Sequence, residues 1–224
     1  MAFHPDICIR GSGIVGRTLA LLLAREKWNV ALVEAPALAS GSDVRAYSLN
    51  GAAMALLQEL RCWPDSPDVT PVHQMQIWGD QGGQLNFGAK DQGVTELNWM
   101  VDVPALEKRL AQAVQFQPHI ELVTAPVAAP LTVVCEGRAS QTRAELGVAF
   151  DITRYEQHAV ATRLSCELPH QGVARQWFSW STVPGLSQAQ AEILALLPLG
   201  GEGGSEVALV WSVHPLRAQA LMAL

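Results

Sequence analysis

Charge is scarce in this chain: of 224 residues only 16% are Asp, Glu, Lys or Arg, while 49% are hydrophobic. That balance excludes disorder and fibrous architectures and supplies apolar side chains for a core well beyond a minimal domain. Basic runs are missing too. With 15 Lys+Arg against 21 Asp+Glu the net charge is -6, which argues against a nucleic-acid backbone as partner. Cysteine is sparse: Cys8, Cys62, Cys135 and Cys166 form no CxxC pair and no regular framework. Neither zinc nor a disulfide scaffold is supported, and a reducing, cytoplasmic setting is expected. The six histidines are scattered without an i,i+4 pair, so no metal site is expected. Apolar runs are short. Thr18 to Ala24 follows Arg10 and Arg17 as a signal core would, but Asp6 lies upstream, Gly11, Gly13 and Gly16 interrupt the approach, and Arg25-Glu26-Lys27 stands where small residues would mark cleavage. Nowhere do about 18 apolar residues run on, so a soluble or membrane-peripheral chain is expected.

What is present is concentrated in the first forty residues. Asp6-Ile7-Cys8-Ile9 is a short apolar strand, Gly11-Ser12-Gly13-Ile14-Val15-Gly16 a glycine turn, and Leu19 to Ala24 a helix-period run. A second apolar strand, Val30 to Val33, ends in Glu34, eighteen residues beyond Gly16. Strand, glycine turn, helix and strand make a βαβ unit.

Such a unit holds a pyrophosphate on backbone N–H groups at a helix N-terminus, where the helix dipole favours negative charge and side chains would obstruct the approach. Gly11 allows the tight turn, Gly13 the close approach of backbone to phosphate, and Gly16 the packing of helix on strand; Ile14 and Val15 open the helix between them. Glu34 is placed to accept hydrogen bonds from an unphosphorylated ribose, which favours FAD or NAD over NADP. A nicotinamide-dependent oxidoreductase would need a Tyr-x-x-x-Lys or catalytic histidine signal, and Tyr47 and Tyr155 are the only tyrosines.

Downstream, Arg45-Ala46-Tyr47-Ser48-Leu49 precedes a helix from Ala52 to Leu60, and Glu96 to Val101 leads through Val103-Pro104-Ala105-Leu106 into a helical run to Val114. Further on come Val133-Val134-Cys135-Glu136-Gly137, then Ser140 and Arg143. Together these resemble the flavin-dependent aromatic hydroxylases, and among them the ubiquinone-biosynthesis monooxygenases, along nearly the whole chain. By that resemblance Arg45 matches an arginine close to the flavin nucleotide. Glu136-Gly137 matches an Asp-Gly turn associated with the flavin pyrophosphate and the passage of reduced nicotinamide, with Glu in place of Asp. From the residues alone, Ser140 and Arg143 fit equally a helix start capped by a hydroxyl with a solvated arginine.

The expected architecture is α/β: a Rossmann-like FAD-binding domain over residues 1–150, discontinuous in the family, with part of a β-rich, mixed-sheet substrate domain over residues 151–224. Strands are expected at Arg154–Ala161, Arg175–Phe178, Leu196–Leu199 and Val207–Ser212, with a turn at Gly200–Gly204. They would form a substrate-pocket wall, and Trp177, Phe178 and Trp211 line an aromatic cleft or, as strand aromatics more often do, fill core. Between Gln117 and Leu131 the strand-rich excursion usual in the family looks trimmed. The family's later Gly-Asp motif is absent, and Gly79-Asp80, in a Gln-Gly-Gly turn, does not replace it.

The resemblance implies FAD as cofactor, NADH or NADPH as co-substrate, O2, and hydroxylation of an aromatic, phenolic substrate that is polyprenylated in the ubiquinone pathway. A lipid substrate implies peripheral membrane contact or contact with proteins of that pathway, although no basic amphipathic helix is present to provide it. No side-chain nucleophile or metal is needed, because the flavin carries the chemistry; no catalytic residue is assigned. The alternative is a truncated, non-catalytic flavoprotein-like binding or assembly module. Oligomeric state and substrate identity are not legible.

Overall fold

A computed structural model describes residues 3–34 and 43–223. The chain divides into two compact units, each drawn from separate stretches: residues 1–42, 52–63 and 104–152 form the first, and residues 43–51, 64–103 and 153–224 the second.

The first unit is built on a parallel four-stranded sheet of β1 (Ile7–Arg10), β2 (Val30–Val33), β8 (Ile120–Val123) and β9 (Leu131–Val134), in the order β8-β2-β1-β9. The central strands are continuous apolar runs, as expected where a parallel strand is covered on both faces, and Ile9, Val30 and Leu32 have no exposed surface. Helix α1 (Ile14–Arg25) packs on β1 and β2. Gly16, Ala20 and Ala24, spaced four apart and all buried, give it a seam of small residues for close approach. Helix α2 (Gly51–Glu59) from Ala52 on, α3 (Val103–Gln115) from Pro104 on, and the short α4 (Gln141–Glu145) complete the unit. Leu106, Leu110 and Val114, at helical spacing, bury the inner face of α3.

Strand β8 lies inside the stretch where the sequence shows no strand. None of its four residues is buried, because it is an edge of the sheet, which weakens the apolar signal of a parallel strand. Since β8 and β9 occupy opposite edges and run parallel, residues 124–130 must both cross the sheet and return to its other end. Three strand spacings are about 14 Å and one short strand about 10 Å, against a reach of about 27 Å for eight extended steps. A short strap thus joins the two edges where an excursion would otherwise be.

The second unit contains β3 (Ala46–Leu49), β4 (Val69–Val72), β5 (Gln74–Trp78), β6 (Gln84–Gly88), β7 (Asn98–Asp102), β10 (His158–Ser165), β11 (Val173–Ser181), β12 (Gln190–Pro198), β13 (Glu206–Val213) and α5 (Pro215–Met222). Strands β3-β7-β4 make an antiparallel sheet, and β10-β13-β12-β11-β5-β6 a mixed one in which only β5 and β11 run parallel. Gly79-Asp80 falls in the turn of the β5–β6 hairpin, closed by the Gly79 N–H on the Gly83 carbonyl at 2.7 Å. Val72, Met100, Ala174, Leu199 and Ala208 form the core, with Ala46, Met75 and Leu197 against it.

Strand β10 starts at His158 rather than Arg154. Its partner β13 ends at Val213, opposite His158, because His214-Pro215 opens α5 and proline cannot extend a ladder. The Gln157 side chain instead donates to the Ala191 carbonyl at 2.7 Å. Buried His170 ties two turns together: its Nδ1 accepts from the Gly172 N–H at 2.9 Å while Nε2–H donates to the Leu199 carbonyl at 2.6 Å. These two partners fix the tautomer. No helix among the described residues is long and apolar enough to cross a membrane.

Candidate functional site

The parallel sheet brings three chain turns to its carboxyl edge. Register pairs Arg10 with Val33 on one side and Val134 on the other, so Glu34, the Gly11–Gly16 loop and Glu136-Gly137 emerge side by side from β2, β1 and β9. That edge is where open α/β sheets receive ligands.

The glycines there answer different constraints. Gly11 has φ +112°, and a Cβ on it would stand 2.5 Å from the Cys135 carbonyl oxygen and 2.9 Å from the Glu136 nitrogen. A Cβ on Gly16 would lie 1.8 Å from the Gly11 carbonyl oxygen. Around Gly13 there is nothing within 4 Å, so its open side leaves room for a ligand to meet the backbone. Gly13 caps α1 without a side chain, and its carbonyl accepts from the Arg17 N–H at 3.0 Å. The first-turn amides of Ile14, Val15 and Gly16 have no intrahelical acceptor, and no acidic side chain occupies that turn. Such an arrangement of free amides and open backbone can receive a pyrophosphate. Glu34 is exposed beside it, its backbone N–H held by the Val123 carbonyl at 2.9 Å.

Glu136 is turned inward. One carboxylate oxygen accepts from Ser140 Oγ at 2.7 Å and the Thr142 N–H at 3.1 Å; the other accepts from Thr142 Oγ1 at 2.5 Å and lies 3.1 Å from Arg10 Nε. Ser140 in turn caps α4 by accepting from the Arg143 N–H at 3.2 Å. Burial opposes ionisation of Glu136, but the hydrogen bonds from Thr142 and Ser140 and the charge of Arg10 outweigh it and bring its pKa to about 2. Because the folded-state value lies below the ordinary 4.5, ionised Glu136 stabilises the fold above pH 4.5, and that contribution is lost as pH falls toward 2. Urea midpoints measured from pH 7 to pH 3 should therefore fall more steeply for the natural chain than for Glu136→Gln.

Arg143 is not simply solvated: its guanidinium lies 3.9 Å from the centre of the Phe150 ring and donates to the Arg138 carbonyl at 3.1 Å. With Val134, Glu136, Gly137, Ser140, Leu146 and Val148 it lines a pocket of about 230 Å3. Cys135, behind Gly11, has its thiol pKa pushed up by burial. Thr142 and Arg10, both bound to Glu136, went unnoticed in the sequence; a lone arginine closing the apolar run Ile7-Cys8-Ile9 was the available signal.

Arg45 belongs to the second unit, at the start of β3. Its guanidinium forks onto Asp43 at 2.6–3.1 Å and, chiefly through that hydrogen bond, lowers the Asp43 pKa. Its carbonyl accepts from Arg163, which also pairs with Asp102 at 2.5 Å.

The aromatic strands separate into two faces of the mixed sheet. Trp177 stacks on Trp78 with centroids 5.0 Å apart, and Trp211 lies under Arg217 at 5.1 Å. Phe178 and Trp180 point to the other face, the one that carries Ala174 and Met75 into the core. Beyond that core the same face continues with exposed Phe178, Trp180, Leu85 and Phe87. It is an apolar surface on a sheet, larger than isolated surface residues would make.

No protein-family model matches the chain. It is 26% identical over 190 residues to 3-demethoxyubiquinol 3-hydroxylase of Escherichia coli K12, covering 72% of this chain and 49% of that protein. It is 25% identical over 245 residues to ubiquinone hydroxylase UbiL of Rhodospirillum rubrum, covering 98% and 54%. The chain thus spans about half the length of the curated relatives it matches. Among solved structures, PqsL, a probable FAD-dependent monooxygenase from Pseudomonas aeruginosa, superposes with a TM-score of 0.74 at 17% identity, over 98% of this chain and 63% of that one. The p-nitrophenol 4-monooxygenase PnpA from Pseudomonas putida does so with a TM-score of 0.73 at 15% identity, over 100% and 61%. The solved structures establish the fold, that of FAD-dependent monooxygenases, and the sequence relatives to which the chain is similar are hydroxylases of ubiquinone and its precursor.

Proposed function

We propose that this chain binds FAD by its ADP half and serves an FAD-dependent monooxygenase that hydroxylates a phenolic substrate with NAD(P)H and O2, as in ubiquinone biosynthesis. The observation that carries the reading is the glycine cradle at the carboxyl edge of the parallel sheet, where backbone crowding at Gly11 and Gly16 and open space at Gly13 suit a pyrophosphate. The amides of Ile14, Val15 and Gly16 hold the phosphates, Glu34 accepts from the ribose, and Glu136-Gly137 forms the neighbouring wall. Arg45, held by Asp43, is assigned to the flavin nucleotide. When bound, FAD would supply the redox chemistry, with electrons from a reduced nicotinamide, one oxygen atom of O2 going to the aromatic ring and the other leaving as water.

The chain's own tasks are binding, orientation and exclusion of water. The exposed apolar face of Leu85, Phe87, Phe178 and Trp180 suits an aromatic substrate and an apolar tail. The names of the relatives support a ubiquinone precursor as the substrate class.

Purified chain titrated with FAD should quench flavin fluorescence, turn yellow, and release FAD to competing ADP. The loaded protein should oxidise NAD(P)H with O2 uptake that rises when a phenol is added. A colourless protein that retains no FAD at micromolar concentrations would overturn the reading.

A further inference from the structure

Arg10 is out of character with its strand. Ile7, Cys8 and Ile9 are buried apolar residues in the centre of the parallel sheet, yet the next position carries a guanidinium whose side chain remains largely covered. Its Nε lies 3.1 Å from Glu136 Oε1 and its terminal nitrogen 3.6 Å from Glu145 Oε2. The Nε contact is an ion pair without an aligned hydrogen bond, so charge rather than direction holds it.

Glu136 meanwhile has no acceptor capacity to spare. A carboxylate offers about four lone-pair positions; Ser140 and Thr142 fill three through hydrogen bonds, and Arg10 covers the side that remains. A carboxylate so occupied does not bind ribose or phosphate hydroxyls. Its backbone, however, lies against the glycine loop, since a Cβ on Gly11 would meet the Glu136 nitrogen at 2.9 Å. An unopposed carboxylate at this edge would also repel a pyrophosphate.

We propose that Arg10 is a positioning residue for the dinucleotide site: it anchors Glu136, holds the Glu136-Gly137 turn against Gly11, and offsets the carboxylate's charge beside the phosphate cradle. The role deepens the FAD-binding reading and rests on it. Arg10 acts through Glu136 and makes no contact of its own with the phosphates.

A double-mutant cycle on the whole chain separates the possibilities, with Arg10→Val, Glu136→Gln and the pair compared by FAD dissociation constant and by amide hydrogen exchange of residues 137–143 without ligand. Arg10→Val should weaken FAD about fivefold and speed exchange across 137–143, and should do neither in the Glu136→Gln background. Arg10→Lys, which restores the charge, should recover the slower exchange. An equal loss of FAD affinity in both backgrounds would mean direct phosphate contact and overturn the proposal. So would unchanged exchange in Arg10→Val, or no recovery in Arg10→Lys. If the natural chain binds no FAD, the cofactor reading fails, and the exchange comparison still decides whether Arg10 holds the turn.

Discussion

Gly16→Ala is expected to lower FAD affinity by at least about a hundredfold, equivalent to about 2.7 kcal/mol, and to destabilise the fold by about 1–3 kcal/mol through overpacking. The new methyl would fall 1.8 Å from the Gly11 carbonyl oxygen and 3.0 Å from its carbon. Both are backbone atoms, so no side chain can swing aside; either α1 lifts from the sheet or the glycine loop shifts, and each disturbs the amides that face the phosphates. Gly13→Ala is the paired control. Gly13 has φ -72° with nothing within 4 Å, so alanine fits and stability should stay within about 0.5 kcal/mol, while FAD binding falls because the methyl occupies the open side of the cradle. Fluorescence titration with FAD and urea melts on both variants measure the split. Equal FAD affinity for Gly13→Ala and the natural chain would show that no phosphate approaches there.

Arg217→Met should cost about 3 kcal/mol of stability. Glu192, on β12, is only 3% exposed, with its Oε1 2.6 Å from Arg217 Nε and hydrogen-bonded by Ser181 Oγ. Arg217 itself spans the carboxylate and the Trp211 ring, and so fastens α5 to the mixed sheet. Removing the cation leaves a buried carboxylate with a single hydroxyl partner, whereas removing both charges leaves only a packing change. Glu192→Gln in the Arg217→Met background should therefore recover most of the loss, as read from urea midpoints at neutral pH. A single Arg217→Met variant as stable as the natural chain would show that Glu192 is solvated in ways its burial denies.

The glycine loop and its flanking strands were legible because every constraint on them is local: apolar runs, glycine spacing and the acidic end of β2 lie within thirty residues. Edge strand β8 was not, since a half-exposed four-residue strand next to Pro118 carries little pattern of its own. Opposite directions for Trp177 and Phe178 follow from strand period alone, but which of them faces the core depends on Val72 and Met100, far away in sequence. Likewise Glu136 could be placed beside the cradle by resemblance, whereas its pairing with Arg10 is a property of two chain segments far apart in sequence meeting.

The parallel pairing of β5 with β11 sets a schedule for synthesis. Register partners Gln74 and Val173 are about 100 residues apart, and at about 5–20 residues per second the ribosome needs about 5–20 seconds to supply the second after the first. Throughout that interval the β5–β6 hairpin carries Ile77, Leu85 and Phe87 beside an unpaired edge, while the parallel sheet of the first unit can already close once Val134 has emerged. Nascent chains released in this window should be the ones that aggregate, and a holdase chaperone should bind there before it binds anywhere else.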